Sequence, residues 1–457
     1  MPRLLLINPA SSHKVLGNIR ATALLPLNLP YLAAVTPSHY QIDVLDENIE
    51  PFVYREADIV GITVLTMSVL RAYEISQIYR DKGIPTVLGG IHVSMMPEEA
   101  MRYCDTVVVG EAETIWPTIL EDFENGCLKK QYEGIWASLD TLPTPRRDIL
   151  KNQYYGWGTI QTSRGCPMNC TFCSVTAFNG RRFRRRPLEA VIEELESIPQ
   201  KKIFIVDDNI IGYGEKDLEW ARAFFRRIIE KKIKKTFFAQ TSILFGEDTE
   251  LIQLAAKAGV RIVLIGMESI NPETLSAFGK KINLERLHQT RYPELISRIR
   301  KAGIVLQGTF VLGGDEDDRS VFQSTLEFIK KGHIDVLQMT KPTPLPGTQL
   351  WHTLKRDGRI IDQNFPDAWN DYSFSRLVFT PKKMSREEVY RGFTYLRSIY
   401  YSVWETLKRT FFTLMATKSP TSAFIAYKLN ASYRKAFKQS DHYQQYHGED
   451  LKSIFEP

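Results

Sequence analysis

Three cysteines stand in the run Cys166-Pro167-Met168-Asn169-Cys170-Thr171-Phe172-Cys173, a CxxxCxxC spacing. Three thiolates on one short loop are one fewer than a 4Fe-4S cube has irons, so one iron stays open to chelate a small molecule and pass it an electron. A structural zinc site asks for four N or S ligands, usually as CxxC pairs with a second pair downstream, and this sequence has no such pair. Ferredoxin runs use shorter spacings and four cysteines per cluster. A cluster with one open corner is the chemistry that fits.

Such a loop must be held at the mouth of something rigid. From about residue 156, apolar runs at 158–162, 203–206, 237–241, 262–266, 304–312 and 336–340 alternate with helical patterns such as 188–197 and 217–231. Six such units predict parallel strands joined by helices, with the cysteine loop after the first strand at the carboxyl end, where such sheets place their chemistry. Later strands end in Asp207-Asp208-Asn209, Gln240-Thr241-Ser242 and Glu268-Ser269. One carboxylate at a strand end is usually a cap; polar groups on three successive strand ends suggest a site.

A second alternation precedes the first. Strands are expected at 4–8, 42–46, 59–64, 86–89 and 106–109, with helices at 68–82 and 113–124. This is the pattern of a doubly wound parallel sheet, whose ligand lies beyond the carboxyl ends of its strands. Asn8, Gly61-Ile62-Thr63, Leu65-Thr66, Gly89-Gly90-Ile91-His92 and Gly110-Glu111 fall at those ends. Glycines there let the backbone close on a large flat ligand.

These motifs together resemble the cobalamin-dependent (class B) radical S-adenosylmethionine (SAM) enzymes, nearest the branch that contains hopanoid methylases. The resemblance rests on CxxxCxxC with Phe172 before its last cysteine, Val206-Asp207-Asp208-Asn209, the glycine loops and Thr343-Pro344-Leu345-Pro346-Gly347-Thr348, and it covers about residues 1 to 380. It implies a Rossmann-like cobalamin domain at 1–125, a linker at 126–155, a partial (β/α)6 barrel at 156–345 and a helical substrate lid at 346–457. It implies that Cys166, Cys170 and Cys173 hold the cluster and that Glu268 binds the SAM ribose. Asp207, Asp208 or Gln240 would face the methionine moiety, with Phe172 and Ser242 beside it, and Gly308 and Pro344 would lie against adenine. Asn8, Gly61, Thr63, Leu65, Thr66, Gly89, Gly90, His92, Gly110 and Glu111 would line the cobalamin site. The sequence departs from the histidine-ligating pattern D-x-H-x-x-G, having Ser11-Ser12-His13-Lys14-Val15-Leu16-Gly17. With no aspartate to orient His13, the lower cobalt face is expected to be covered by Val64-Leu65-Thr66-Met67 instead.

The implied reaction is cleavage of SAM by the reduced cluster to a 5'-deoxyadenosyl radical, hydrogen abstraction from an unactivated carbon, and delivery of a methyl group from cobalamin. The expected substrate is a lipid-like molecule or secondary metabolite; the alternatives are a radical cyclisation or rearrangement by the same cofactors, and a non-catalytic iron-sulfur or corrinoid-binding protein. A low-potential electron donor of flavodoxin or ferredoxin type is expected.

At 457 residues the chain predicts two or three domains. Five cysteines, three of them in one motif, argue for a reducing, cytoplasmic setting, and Cys104 and Cys127 read as buried small hydrophobes. No run is apolar enough to span a bilayer. The formal net charge is +6, and the segment 382–457 carries 13 Lys/Arg against 7 Asp/Glu. Its Tyr390, Phe393, Tyr395, Tyr400, Tyr401, Trp404, Lys408, Arg409, Phe411 and Phe412 fit either the core of a helical cap or a lid touching a membrane surface. The run Arg181-Arg182-Phe183-Arg184-Arg185-Arg186 fits local anions beside the site; with no RNA-binding domain beside it, nucleic acid is not an expected partner.

Overall fold

A computed structural model describes residues 1–11, 24–288 and 291–455; His13 lies outside the described residues. Strands β1 (Arg3–Asn8), β2 (Gln41–Asp46), β3 (Ile59–Thr63), β4 (Thr86–Gly89), β5 (Thr106–Val109) and β6 (Gln131–Glu133) form a parallel sheet in the order β2-β1-β3-β4-β5-β6. Successive side chains alternate between faces, so Leu4, Leu6, Ile59 and Val108 pack with Leu29, Ala33, Trp116 and Ile119 of helices α1 (Asn28–Val35) and α3 (Trp116–Glu124). Leu5, Ile7, Val60 and Val107 pack on the other face with Ala72, Ile75 and Tyr79 of α2 (Val69–Arg80). The order reverses between β1 and β3, which opens a crevice at their carboxyl ends. Strand β6 lies in the stretch read from sequence as a linker. Its pattern explains the miss: only Tyr132 is buried, between exposed Gln131 and Glu133 at the sheet edge.

The second sheet comprises β7 (Gly158–Ile160), β8 (Lys202–Ile205), β9 (Thr236–Thr241), β10 (Val260–Glu268), β11 (Val305–Val311) and β12 (Val336–Thr340). All neighbours are parallel and in sequence order, and β7 and β12 do not pair among the described residues, which leaves an open barrel. Helices α4 (Leu188–Ser197), α5 (Glu215–Glu230), α6 (Thr249–Ala258), α7 (Tyr292–Lys301) and α8 (Ser320–Gly332) alternate with these strands along the chain.

Buried charge ties the connector to the barrel. Arg147 reaches Glu194 at 2.5 Å and the Thr159 carbonyl at 2.8 Å, and Arg186 binds the other Glu194 oxygen at 2.6 Å. Glu194 and both guanidinium groups are buried. The arginine run therefore spends much of its charge on the protein's own carboxylates: Arg184 on Glu111, Arg185 on Asp217, Arg186 on Glu194. Arg182 stacks 3.8 Å over Trp136.

The C-terminal region holds α9 (Gln349–Arg356), α10 (Arg386–Tyr400), α11 (Val403–Thr417) and α12 (Pro420–Lys438). The tail's aromatic residues divide into two groups. Tyr390, Phe393, Tyr395, Tyr400 and Tyr401 are core, whereas Trp404, Phe411 and Phe412 are exposed. Cys104 is buried as expected, but Cys127 is exposed, its thiol turned toward Asp122 at the edge of the first sheet.

Candidate active site

The carboxyl ends of the two sheets meet across one cleft of about 1130 Å³, counted with the solvent at its mouth. From the first sheet it is lined by Gly61, Thr63, Leu65, Gly89, Gly90, Gly110 and Glu111; from the barrel side come Arg164, Gly165, Asn179 and Asp208. Seven of the ten residues expected at a cobalamin site thus share one wall. Gly90 shows why glycine is needed there: its φ is 106°, and a Cβ would stand 2.8 Å from the Val64 carbonyl oxygen. Leu65 presents an apolar side chain that is 56% exposed. A backbone cradle with a bare aliphatic side chain suits the broad face of a corrin.

The other three lie apart from this wall. Asn8 donates to Asp46 at 3.0 Å. His92 is fully buried: one ring nitrogen is 3.1 Å from the Thr66 hydroxyl and the other 3.4 Å from Glu99, while its ring meets Trp369 edge-on at 5.1 Å. Trp369 and Tyr73 both donate to Glu99. This network joins the first sheet's loops to the C-terminal region rather than facing a ligand. Glu111, although on the cleft wall, accepts from Arg184 at 2.9 Å and the Ala137 amide at 2.8 Å and pairs with Arg164 at 3.3 Å. Burial pushes its pKa up, but these partners outweigh that and hold it below the usual range.

The cysteine loop leaves the barrel at Gly165, on the cleft. It is pinned from two sides: the Thr171 amide donates to the Phe278 carbonyl at 3.1 Å, and the Leu350 amide donates to the Thr171 carbonyl at 2.9 Å. Gly279, at φ 70°, lies so close that a Cβ would come within 2.6 Å of the Asn169 carbonyl oxygen. Phe172 packs edge-on to Phe278 at 5.0 Å. Burial pushes the Cys166 and Cys170 thiols up to about 11 and raises Cys173 as well. Such thiols ionise readily only against strong positive charge, which bound iron supplies. Among the described residues, no three His, Cys, Asp or Glu side chains converge as ligands of a single ion would. A cubane, whose irons each take their own thiolate, does not require such convergence. The donor set fits a cluster.

One residue beside the loop escaped the sequence reading. Lys280 pairs with Glu268 at 2.7 Å, and its charge favours the ionised form of all three thiols. Burial alone depresses this ammonium, but Glu268 and Cys170 hold it above the usual lysine range. Glu268 ends β10 with φ 63°, at a break in register with β11. A non-glycine residue there stores roughly 1–3 kcal/mol of strain, a cost met mainly at functional positions. No local signal marked Lys280, since a Gly-Lys pair after a short helix is ordinary sequence.

The remaining strand ends divide by role. Asp207 is enclosed, accepting from the Thr162 amide at 2.7 Å and the Ser163 hydroxyl at 2.6 Å; burial raises its pKa. Asp208 is exposed on the wall of the cleft, and desolvation by the surrounding protein, then the neighbouring Asp207, pushes it up to about 6. Gln240 donates to the Asp207 carbonyl at 3.3 Å. The Thr241 and Ser242 hydroxyls are buried without a partner among the described residues, acceptors and donors of the sort a polar ligand satisfies. Gly308 is buried inside its strand against Ile334 and Met267, and Pro344 is buried in the proline segment.

Comparison with known proteins agrees with this fold. A B12 binding domain matches residues 14–120, the Radical SAM superfamily matches 160–329, and a domain of unknown function matches 348–444. The bacteriochlorophyllide d C-8(2)-methyltransferase of Chlorobaculum tepidum is 30% identical over 90% of this chain and 93% of its own length. The hopanoid C-2 methylase of Rhodopseudomonas palustris is 25% identical over 76% of this chain and 67% of its own. The solved structure of the cobalamin-dependent SAM radical enzyme OxsB shares the fold with a TM-score of 0.70 at 15% identity, covering 99% of this chain and 74% of that one. The chain belongs to the cobalamin-dependent radical SAM enzymes, whose cofactors are a 4Fe-4S cluster, SAM and cobalamin.

Proposed function

We propose that the protein methylates an unactivated carbon of an apolar small molecule. The observation that carries this is the single cleft on which the glycine-rich strand ends, Gly165 of the cysteine loop and Asp208 all open. When bound, the cofactors supply a one-electron reductant, a source of a carbon-centred radical and a methyl donor. The protein's task is then to hold the reacting groups in line and to keep water away.

Cys166, Cys170 and Cys173 are assigned to three irons. Lys280 balances negative charge at the cluster and offers an ammonium to the SAM carboxylate, and Glu268, oriented by Lys280, accepts from the ribose hydroxyls. Asp208 and the hydroxyls of Thr241 and Ser242 are assigned to polar parts of the ligands. Gly61, Gly89 and Gly90 would admit the corrin, and Leu65 would pack against it. The two relatives are named for a bacteriochlorophyllide and a hopanoid, both polycyclic molecules with large apolar frameworks, which supports a substrate of that kind. A flavodoxin- or ferredoxin-type protein is assigned as electron donor.

The test is an anaerobic incubation of reconstituted protein with cobalamin, reductant, methyl-labelled SAM and cell extract. Label in a carbon product, with both 5'-deoxyadenosine and S-adenosylhomocysteine formed, is expected. 5'-Deoxyadenosine without S-adenosylhomocysteine would replace methylation by cyclisation or rearrangement, and a Cys170→Ala protein that still cleaves SAM would overturn the cluster assignment.

A further inference from the structure

Helix α11 is amphipathic the wrong way round for a helix that serves only the core. Its inward stripe is hydroxylic: Thr406, Thr413 and Thr417 are buried, with Thr413 bonded to Asp335 at 2.6 Å and Thr417 to the Thr413 carbonyl at 2.7 Å. Its outward stripe is Val403, Trp404, Leu407, Phe411, Leu414 and Met415, which fall within about a third of the helical circumference at 100° per residue. Trp404 is 73% exposed and Met415 61%. Phe424 and Tyr427 of the paired helix α12 are exposed too. Folding does not call for large apolar residues outside and threonines inside, and an exposed apolar face of this extent marks a docking surface.

Charge identifies the occupant. Residues 403–438 carry seven Lys or Arg against a single Glu, an excess equal to the formal net charge of the whole chain, +6. Lys408, Lys418, Lys428, Lys435 and Lys438 are exposed, and none has a carboxylate partner among the described residues. Lys428 lies 5.4 Å over the ring of Phe424, so cation and aromatic are presented together. A second copy of this chain would set one basic hairpin against another. A nucleic acid would leave the aliphatic stripe in water. No helix among the described residues is long and apolar enough to cross a bilayer, so the contact is with its surface.

We propose that the α11–α12 hairpin docks on an anionic phospholipid bilayer, with Trp404, Phe411 and Met415 entering the headgroup–acyl boundary and the lysines meeting lipid phosphates. The docking does not depend on which reaction the cleft performs.

The test is sedimentation of the full-length protein with vesicles of phosphatidylcholine, with and without 30% phosphatidylglycerol. The protein is expected to bind the anionic vesicles, more weakly as salt rises, and to ignore the neutral ones. The pair Trp404→Ser and Phe411→Ser should weaken binding by about tenfold or more, and Lys428→Glu with Lys435→Glu by a similar factor with a shallower salt dependence. These positions are exposed, so an unchanged Tm and unchanged SAM cleavage in detergent-free buffer show that the variants are folded. Absence of binding, equal binding by the Ser pair, or a dimer in light scattering that the Ser pair dissolves would each overturn the assignment, the last in favour of self-association.

Discussion

Lys280 is where charge, burial and chemistry coincide in one side chain. Its ammonium is held by Glu268 at 2.7 Å and favours ionisation of all three cysteine thiols. A unit positive charge about 10 Å away at an effective dielectric of about 20 favours the state with one more electron by about 1.7 kcal/mol, or about 70 mV for a one-electron couple. Lys280→Gln is therefore expected to shift the cluster potential negative by several tens of millivolts in a dye-mediated redox titration, and to weaken SAM binding. A potential unchanged by the substitution would reduce Lys280 to a brace for Glu268. The cysteines were legible in the sequence because their spacing is itself the chemical requirement, and the glycine loops because a flat ligand excludes side chains. Lys280 was not, since its importance comes from a turn that folds back on the cysteine loop through Gly279. His92 illustrates the converse: position at a strand end suggested a ligand contact, but burial turned the ring toward Glu99 and Trp369.

At the scale of elements, the strands read well because a parallel strand covered on both faces is a continuous apolar run, as in Leu4–Ile7 of β1. Edge strand β6 was hidden because only Tyr132 of its three residues is buried, and the division of the tail's aromatics because composition does not say which face of a helix is covered. The joints between elements are electrostatic, and they carry two predictions. Glu194 lies between Arg147 and Arg186, so Glu194→Ala leaves two buried guanidinium groups unpaired and should cost about 3–5 kcal/mol in denaturant unfolding. A loss below about 1 kcal/mol would mean water reaches the triad. His442, stacked on Tyr390 at 3.7 Å, has its pKa lowered to about 4 by burial, with the nearby Lys341 adding to the effect and Asp441 opposing it. The unfolded chain takes up this proton near the ordinary histidine value while the folded chain resists it. Stability from the neutral ring is thus present above about pH 6.5 and lost as pH falls toward 4. In the cofactor-free protein, Tm should fall over that interval more steeply for wild type than for His442→Phe, which keeps the stacking; parallel curves would exclude the ring as the cause.

The two sheets turn their carboxyl ends to one cleft, and the ligand proposed for it would bridge them. Cofactor bound across the cleft contacts the folded state alone, so at 100 times its dissociation constant it should stabilise the protein by about 2.7 kcal/mol. With an unfolding entropy of about 2.1 cal/mol/K per residue, that corresponds to a rise in Tm of about 3 °C for cobalamin added to the cofactor-free chain. Gly89 offers a clean way to separate cleft from fold. A Cβ there would meet only Val108, at an ordinary 3.6 Å, and the residue lies on the cleft wall. Gly89→Val should therefore leave the cofactor-free Tm within about 1 °C, since β-branched residues suit strands, while abolishing the cobalamin-induced rise. A variant that still gains 3 °C would move the corrin away from the β4 end of the cleft. A variant already destabilised without cobalamin would show instead that Gly89 serves the packing of the sheet. Because β4 leads directly into Gly90 and the network of His92, Thr66 and Glu99, any shift of its end would also reach Trp369 in the C-terminal region. Loss of the cobalamin response with an unchanged cofactor-free Tm is thus the signature of a cleft blocked from within, and it separates ligand exclusion from disturbance of the joint behind it.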